Sequence, residues 1–372
     1  MLAGPRALID HAALRHNLEV ARVRAPRSRI WAVIKANAYG HGMEETARAL
    51  AAADGLAVAR VEEAVRLRQA GVAAPLLVLE GALSPDEIGL AFRDRLELAV
   101  HQPEQVRLLE RAAPGHPLAV WLKVDTGMHR LGVAPAEASA ILERLSRCSG
   151  VRQPPGLMTH LANADDPADP LSERQCERLL DLAPDWSGPL SIGNSAGILT
   201  CAASRTDWVR PGIMLYGASP IAGQSAAELG LRPAMTLTSR FIAVKRLERG
   251  DAIGYGGAWV CPEDMPVGVV GVGYGDGYPR HAPSGTPVLV GGRRAPLVGR
   301  VSMDMISVDL RGLPDARVGD PVTLWGEGLP VDEIAGWAGT ISYELLCHVS
   351  ARVRMDHLDG GPAPEQVSPS LG

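Results

Sequence analysis

GLAVARVEEAVRLRQAG (55–71) contains one complete strand–helix unit. GLAVAR is short and almost wholly apolar, as a parallel strand buried on both faces must be. VEEAVRLRQAG follows with a helical pattern and closes on Gly71, the residue type that most readily takes the left-handed conformation at a helix end. The unit repeats on both sides. Upstream, WAVIK (31–35) precedes a helix-like stretch from Met43 to Ala53. Downstream, PLLVLE (75–80) leads into SPDEIGLAF, with Ser84 as N-cap and Pro85 at the first helical position. LELAV (96–100), PLAVWLKVD (117–125) and GLMTHLA (156–162) each precede a further helical stretch, and PLSIGNSAGI (189–198) and DWVRPGIMLYG (207–217) complete the series.

Repeated units of this number and length predict an α/β chain whose N-terminal part, residues 1–228, is a (β/α)8 TIM-type barrel. A doubly wound open sheet is the alternative. It normally begins with a Gly-rich first turn, and WAVIKANAYGHG is a poor one. Beyond about Gly230 the pattern changes to strands broken by Gly and Asp turns, such as TLTSRFIAVKRLERGDAIGYGGAWV and TPVLVGGRRAPLVGRVSMDMISVDL. Residues 229–360 are therefore expected to form an all-β domain, and the Gly-, Pro- and Ser-rich residues 361–372 a flexible tail.

A chain of 372 residues with 46% hydrophobic and 21% charged residues suits a large globular domain plus a smaller one. The net charge of -5, with Lys and Arg scattered, argues against a nucleic-acid partner. Five cysteines, Cys148, Cys176, Cys201, Cys261 and Cys347, show neither metal nor redox spacing, so no disulfide framework or metal site is expected. Arg6 and Asp10 interrupt the apolar start of the chain, and no stretch is long and apolar enough to span a membrane. The cytoplasm is the expected location.

Barrel chemistry sits at the carboxyl ends of the strands. Reactive side chains gather there: Lys35 after WAVI, Lys123 and Asp125 with Arg130 shortly beyond, His160 after GLMT, Asn194 and Ser195 after PLSIG, and Arg210 after DWV. Each alone reads as a solvated lysine or a locally bonded histidine, but their shared rim points to a site. IGNSAGI offers a helix start and a hydroxyl suited to a phosphate, and RPGI (210–213) a second turn with free amides.

On these segments the chain resembles the alanine racemase family. AVIKANAYGHG (32–42), WLKVDTGMHRLG (121–132), MTHLANADDP (158–167), GNSAGIL (193–199) and DWVRPGIMLYG (207–217) match in order, followed by IGYGGAW (253–259), VGYGDGYPR (272–280), GRVSMDMISVD (299–309) and ISYELLC (341–347). The match covers nearly the whole chain. Two departures stand out: SARVRMDHL lacks the last basic and aromatic residues expected there, and His129 stands where many members have Gly.

The resemblance implies a pyridoxal 5'-phosphate (PLP) enzyme that interconverts L- and D-alanine as a homodimer with shared active sites. Lys35 is implied as the cofactor-bearing lysine and one base, and Tyr255 of the partner subunit as the other. A free phenol is a weak base near neutral pH, so His160 and Arg210 are implied as its positive, hydrogen-bonded neighbours. Arg210 is further implied to face the cofactor's ring nitrogen. Tyr39, Asn194, Ser195, Gly212, Ile213 and Tyr343 are implied around the cofactor, most of them at its phosphate. Arg130, Met303, Asp304 and Tyr274 are implied around the substrate, and Lys123 as a possible carbamylated lysine steadying Arg130. A broader-specificity racemase of the same fold is the nearest alternative. A decarboxylase of this architecture would want an acid where Arg210 stands, and a non-catalytic PLP-binding barrel would lack the β domain.

Overall fold

The structure, a computed structural model, describes residues 4–112, 115–182, 184 and 186–359; the expected tail at 361–372 lies outside them. The chain divides into two compact units. One comprises Arg15–Leu215 and Ser219–Leu231; the other gathers the described residues up to Leu14, Tyr216–Ala218 and those from Arg232 onward.

The first strand, β1 (Arg6–Asp10), belongs to the second unit. The next eight are β2 (Arg29–Val33), β3 (Gly55–Val58), β4 (Leu76–Val78), β5 (Glu97–Val100), β6 (Val120–Lys123), β7 (Gly156–Met158), β8 (Leu190–Asn194) and β9 (Trp208–Arg210). They pair in parallel and in sequence order, and β9 pairs back to β2, so the sheet closes into a barrel. The expected helix signals act as read: Ser84 Oγ accepts the Glu87 N–H at 3.2 Å with Pro85 next in the chain, and Gly71 has φ +83°. One strand is shorter than expected. WAVIK extends only to Val33, and Lys35 begins a different conformation.

Three tryptophans fill the barrel toward its amino end. Trp31 stacks on Trp208 with ring centroids 4.3 Å apart, and Trp121 meets both edge-on at 6.4 and 6.3 Å. Room for them comes from glycines on neighbouring strands. A Cβ on Gly55 would lie 2.1 Å from Trp31, and one on Gly156 would lie 2.3 Å from Trp121. Each ring removes ~200 Å² from water, worth ~5 kcal/mol of apolar transfer before the opposing chain entropy. The one polar atom of Trp121 is satisfied, since Nε1 donates to Glu97 Oε2 at 2.8 Å.

The second unit is a mostly antiparallel sheet. Its strands are β1, β10 (Met235–Leu247), β13 (Met265–Val270), β14 (Pro287–Val290), β15 (Arg293–Val298), β16 (Ile306–Asp309), β17 (Pro321–Trp325) and β18 (Arg354–Leu358), with a separate short pair β11 (Ala252–Ile253) and β12 (Trp259–Val260). Long β10 shifts register between Phe241 and Ala243. Its first half pairs with β1 and β17 and its second half with β13. Residues 6–10, assigned to the barrel segment on sequence grounds, thus lie in this sheet, with β1 parallel to β18 in the register Arg6↔Arg354. Two helices, Val331–Ala338 and Ser342–Cys347, interrupt the strand pattern.

Candidate active site

Immediately after β2 the backbone turns left-handed. Ala36, Asn37, Ala38 and Tyr39 have φ of 54°, 53°, 55° and 51°. This is a turn of left-handed helix made without glycine, at a cost of roughly 1–2 kcal/mol per residue. Specific bonds hold it. Glu63 Oε1 accepts the Ala36 N–H at 2.7 Å, while its Oε2 accepts from Ala59 and Arg60 at 2.8 and 3.1 Å. Asn37 Oδ1 accepts the Met43 N–H at 3.0 Å. His41 Nδ1 faces the carbonyls of Ala38 and Tyr39 at 3.0 and 2.9 Å, so it carries the proton. Lys35 stands half-buried at the start of the turn and Tyr39 buried at its end. Sequence reading missed Glu63, which looks like an ordinary first-turn acid of its helix.

The strand ends collect positive charge. Burial pulls the Lys123 ammonium down to about 8, and the charges of Arg210, Arg130 and Lys35 push the same way against Asp125. Asp125 offers little compensation. Its Oδ1 already accepts the N–H groups of Gly127, Met128 and His129 at 3.0 Å each. Burial alone would raise that carboxyl, but these bonds outweigh it and hold it below the usual range. Arg130 is exposed on this rim, with no hydrogen bond or ion pair among the described residues.

Arg210 is buried at the end of β9. Its guanidinium donates to Ser191 Oγ at 2.6 Å, to the Thr159 carbonyl at 2.5 Å and to the Ile192 carbonyl at 3.1 Å. Burial lowers it to about 10, so it stays charged at neutral pH. One nitrogen also faces His160 Nδ1 at 3.4 Å. Guanidinium only donates, so Nδ1 accepts and the imidazole proton sits on Nε2. Burial, followed by the charges of Arg210, Lys123, Arg130 and Lys35, holds His160 well below the usual histidine value. The site therefore surrounds a neutral imidazole with cations.

A small cup lies beside them. Ser195 Oγ accepts the Gly212 N–H at 2.8 Å and faces the Met214 N–H at 3.4 Å. Ile213 opens a 3₁₀ turn, Ile213–Tyr216, whose first amides have no partner within it. A Cβ on Gly212 would come within 2.5 Å of Tyr39 Oη, so only glycine admits the tyrosine hydroxyl there. Asn194 works differently. Its Oδ1 caps the helix Ser195–Thr200 through the Gly197 N–H at 2.9 Å, and its Nδ2 faces the Leu161 carbonyl at 3.3 Å. Its polar atoms are engaged in shaping the cup.

Within the second unit, Tyr255, Tyr274, Met303 and Asp304 sit on turns, and Tyr343 on the helix Ser342–Cys347. The Tyr274 N–H donates to the Ser302 carbonyl at 3.1 Å, and that of Gly275 to the Met303 carbonyl at 2.8 Å. A Cβ on Gly273 would meet Met303 backbone at 2.4 Å. Gly254 and Gly256, flanking Tyr255, both pack toward Arg300. Asp304 is ion-paired with Arg352 at 2.7 Å. Tyr255 is 70% exposed, Met303 52%, Tyr274 41% and Tyr343 38%.

Residues 9–220 match the alanine racemase N-terminal domain, and residues 234–357 the alanine racemase C-terminal domain. The chain belongs to the alanine racemase family. An alanine racemase from Nitrosococcus oceani is 54% identical over 350 residues, 94% of this chain and 98% of that protein. The biosynthetic alanine racemase of Escherichia coli is 50% identical over 353 residues, 95% of this chain and 98% of its own length. Among solved structures, the biosynthetic alanine racemase from Pseudomonas aeruginosa superposes with a TM-score of 0.93 at 49% identity, covering 96% of this chain and all of that one. Alanine racemases are barrel enzymes with a mostly-strand second domain, and this chain has both parts.

Proposed function

We propose that the enzyme interconverts L- and D-alanine in the cytoplasm, using PLP and two opposed bases, Lys35 and Tyr255 of the partner subunit. The observation that carries this reading is the barrel rim itself, where Lys35 shares one electrostatic neighbourhood with Arg130, Lys123, Arg210 and a neutral His160.

The donor set fits PLP. A phosphate dianion requires hydroxyls, free amides and positive surroundings. Tyr39 and Ser195 supply the hydroxyls and the start of the Ile213–Tyr216 turn the amides, while the Gly212 N–H holds Ser195 Oγ in place and Gly212 makes room for the Tyr39 hydroxyl. Lys35 is a primary amine on the same rim, able to hold an aldehyde. Asn194 shapes the cup, and Tyr343 adds a further hydroxyl to it. When bound, PLP makes the α-proton of the amino acid acidic by spreading the resulting charge.

The protein's own groups then move that proton. Lys35 Nζ works on one face of the substrate Cα and Tyr255 Oη on the other. A neutral His160, donating through Nε2 and held by Arg210 at Nδ1, orients the tyrosine oxygen. Arg210 retains its charge and its proton beside the cofactor, which restrains competing transamination. Arg130 takes the substrate carboxylate, with Met303 and Asp304 of the partner subunit beside it. Lys123, lowered to about 8, leaves part of its amine unprotonated near neutral pH. That form takes up carbon dioxide, and a carbamate among so many cations would be well compensated and would hold Arg130 in place. Tyr274 and Tyr343 wall the entrance and favour a methyl side chain, a preference worth about 1–3 kcal/mol per added methylene.

The two units are proposed as domains, a barrel over 1–228 and a β domain over 229–360, with β1 contributed to the latter. The shared site predicts complementation. Lys35→Ala and Tyr255→Phe proteins are each nearly inactive. Remixed in equal amounts, about half the dimers are mixed, and one site in each mixed dimer is whole. Racemisation, read by a chiral assay, then recovers to about a quarter of the unsubstituted rate. No recovery in mixtures whose mixed dimers are confirmed by mass spectrometry rules out the shared site. Running the assay with several amino acids separates an alanine enzyme from a broad one.

A further inference from the structure

We infer that Gln175 is the positioning residue that fixes His160 in its working orientation, an inference that rests on the role proposed above for His160. Gln175 projects from the helix Leu171–Leu180 and is fully buried. Its Oε1 accepts the Ala162 N–H at 2.9 Å, and its Nε2 donates to the His160 carbonyl at 3.0 Å. One side-chain amide therefore grips the backbone at His160 and again two residues later. The two bonds also fix which end of the amide is oxygen, since a carbonyl can only accept and a backbone N–H can only donate.

The second Nε2 hydrogen reaches Thr126 Oγ1 at 3.3 Å. From there a directed chain continues. Thr159 Oγ1 donates to the Val124 carbonyl at 2.8 Å, so it accepts from Thr126 Oγ1, which lies 2.8 Å away. Thr126 and Thr159 are each 1% exposed. Water cannot substitute readily for a lost member, and an unmatched buried amide or hydroxyl is costly. The chain ends beside the catalytic groups: the Thr159 carbonyl receives Arg210, and His160 Nδ1 faces the same guanidinium nitrogen. At 3.4 Å that last contact is long, so it depends on a backbone held from elsewhere. Gln175 supplies the hold. Through Thr126 it also ties the loop leading to Arg130, where Arg178 adds a bond to the Thr126 carbonyl at 2.8 Å.

The test is a double-mutant cycle on the PLP-loaded enzyme. Gln175→Met keeps the volume and removes every bond. It should lower kcat for racemisation on the order of tenfold, the scale of a small misplacement of a reacting group, with KM changed much less. In a His160→Asn background the same change should cost less than about twofold, because the group it positions is gone. Equal losses in both backgrounds, or a loss confined to KM, overturn the inference. Gln175→Glu, which keeps the acceptor and loses the donors, is read in the same cycle and decides the matter if the methionine variant does not fold. Selective 15N labelling of histidine gives an independent readout: His160 should show a bare Nδ1 in the parent and mixed tautomers in Gln175→Met, and an unchanged tautomer overturns the inference. The proposed role of His160 is judged separately, by the kcat of His160→Asn against the parent.

Discussion

The two ends of the barrel use the same eight strands for opposite purposes. Toward the amino end Trp31, Trp121 and Trp208 interlock, glycines on neighbouring strands make room, and Trp121 Nε1 has its bond to Glu97. At the carboxyl end Lys35, Lys123, Arg130 and Arg210 converge with Asp125 as the acid beside them, next to four residues wound left-handed. Packing at the first end stabilises the closed sheet. Repulsion and backbone strain at the second destabilise it, and a fold keeps such features where they serve chemistry. Substitutions at the two ends should therefore separate activity from stability.

The largest separation is expected from Lys35→Ala. Removing the group proposed as cofactor anchor and base should cut racemisation at least about a thousandfold. The thermal midpoint should hold or rise, since one of the crowded cations is gone. A chiral assay beside a melting curve checks both. A variant with substantial activity would remove Lys35 from the mechanism.

At the opposite end, Gly156→Ala should reverse the pattern. Its Cβ would lie 2.3 Å from Trp121 Cε3, and the ring is packed against two others. Overpacking of this kind costs about 1–3 kcal/mol. For a chain with domains this size that is a fall of roughly 2–12 °C in Tm. The kcat of the folded fraction should stay near that of the parent. A stable but inactive Gly156→Ala protein would mean that the two ends are coupled.

The sequence discloses these ends unequally. The barrel was legible because its strands are apolar throughout and its helices carry their own start and stop residues, as at Ser84, Pro85 and Gly71. The rim lysines, His160 and Arg210 were legible because strand ends are where chemistry belongs. β1 was not, because RALID finds its partners Thr238 and Arg354 more than two hundred residues away, beyond any local pattern. The left-handed turn was hidden too: ANAY contains no glycine, and bonds from Glu63, Asn37 and His41 impose its shape. Cys176 and Cys201 show no redox spacing, yet their sulfurs lie 3.8 Å apart in the fold. Two helices in the β half, including the one bearing Tyr343, went unread because Gly-rich strands surround them. What local sequence omits is the contact made across distance.

Lys123 offers a smaller effect that sharpens the account of the cationic end. Lys123→Met removes both the amine and any carbamate made from it. With the proposed carbamate gone, Arg130 should lose the charge-assisted bond that group would make, about 1.5 kcal/mol or on the order of tenfold in kcat/KM. Lys123→Glu restores a fixed negative group and should recover part of that loss. If the methionine and glutamate variants behave alike, the negative charge is not what matters, and Lys123 serves only as packing.

The smallest expected effect lies in the pH dependence of stability. His160 is held below its ordinary value of about 6.5, by burial first and by Arg210 and its neighbours next. Above that pH both the folded and unfolded chains carry a neutral imidazole, so His160 contributes no slope. Below it the unfolded chain takes up a proton that the folded one refuses. The unfolded state then binds more protons, and stability falls as the pH falls. Lys123 cannot imitate this, because its lowered value near 8 places its own window between about 8 and 10.5. Other histidines titrate in the acid range, among them His101, which burial also lowers. The useful quantity is therefore the difference between parent and His160→Asn, from denaturant midpoints at steps between pH 7 and 5. The variant should lose less stability across that range. Parallel curves would mean that His160 protonates as readily in the folded chain as in the unfolded one, and that the cations at the carboxyl end do not act on it.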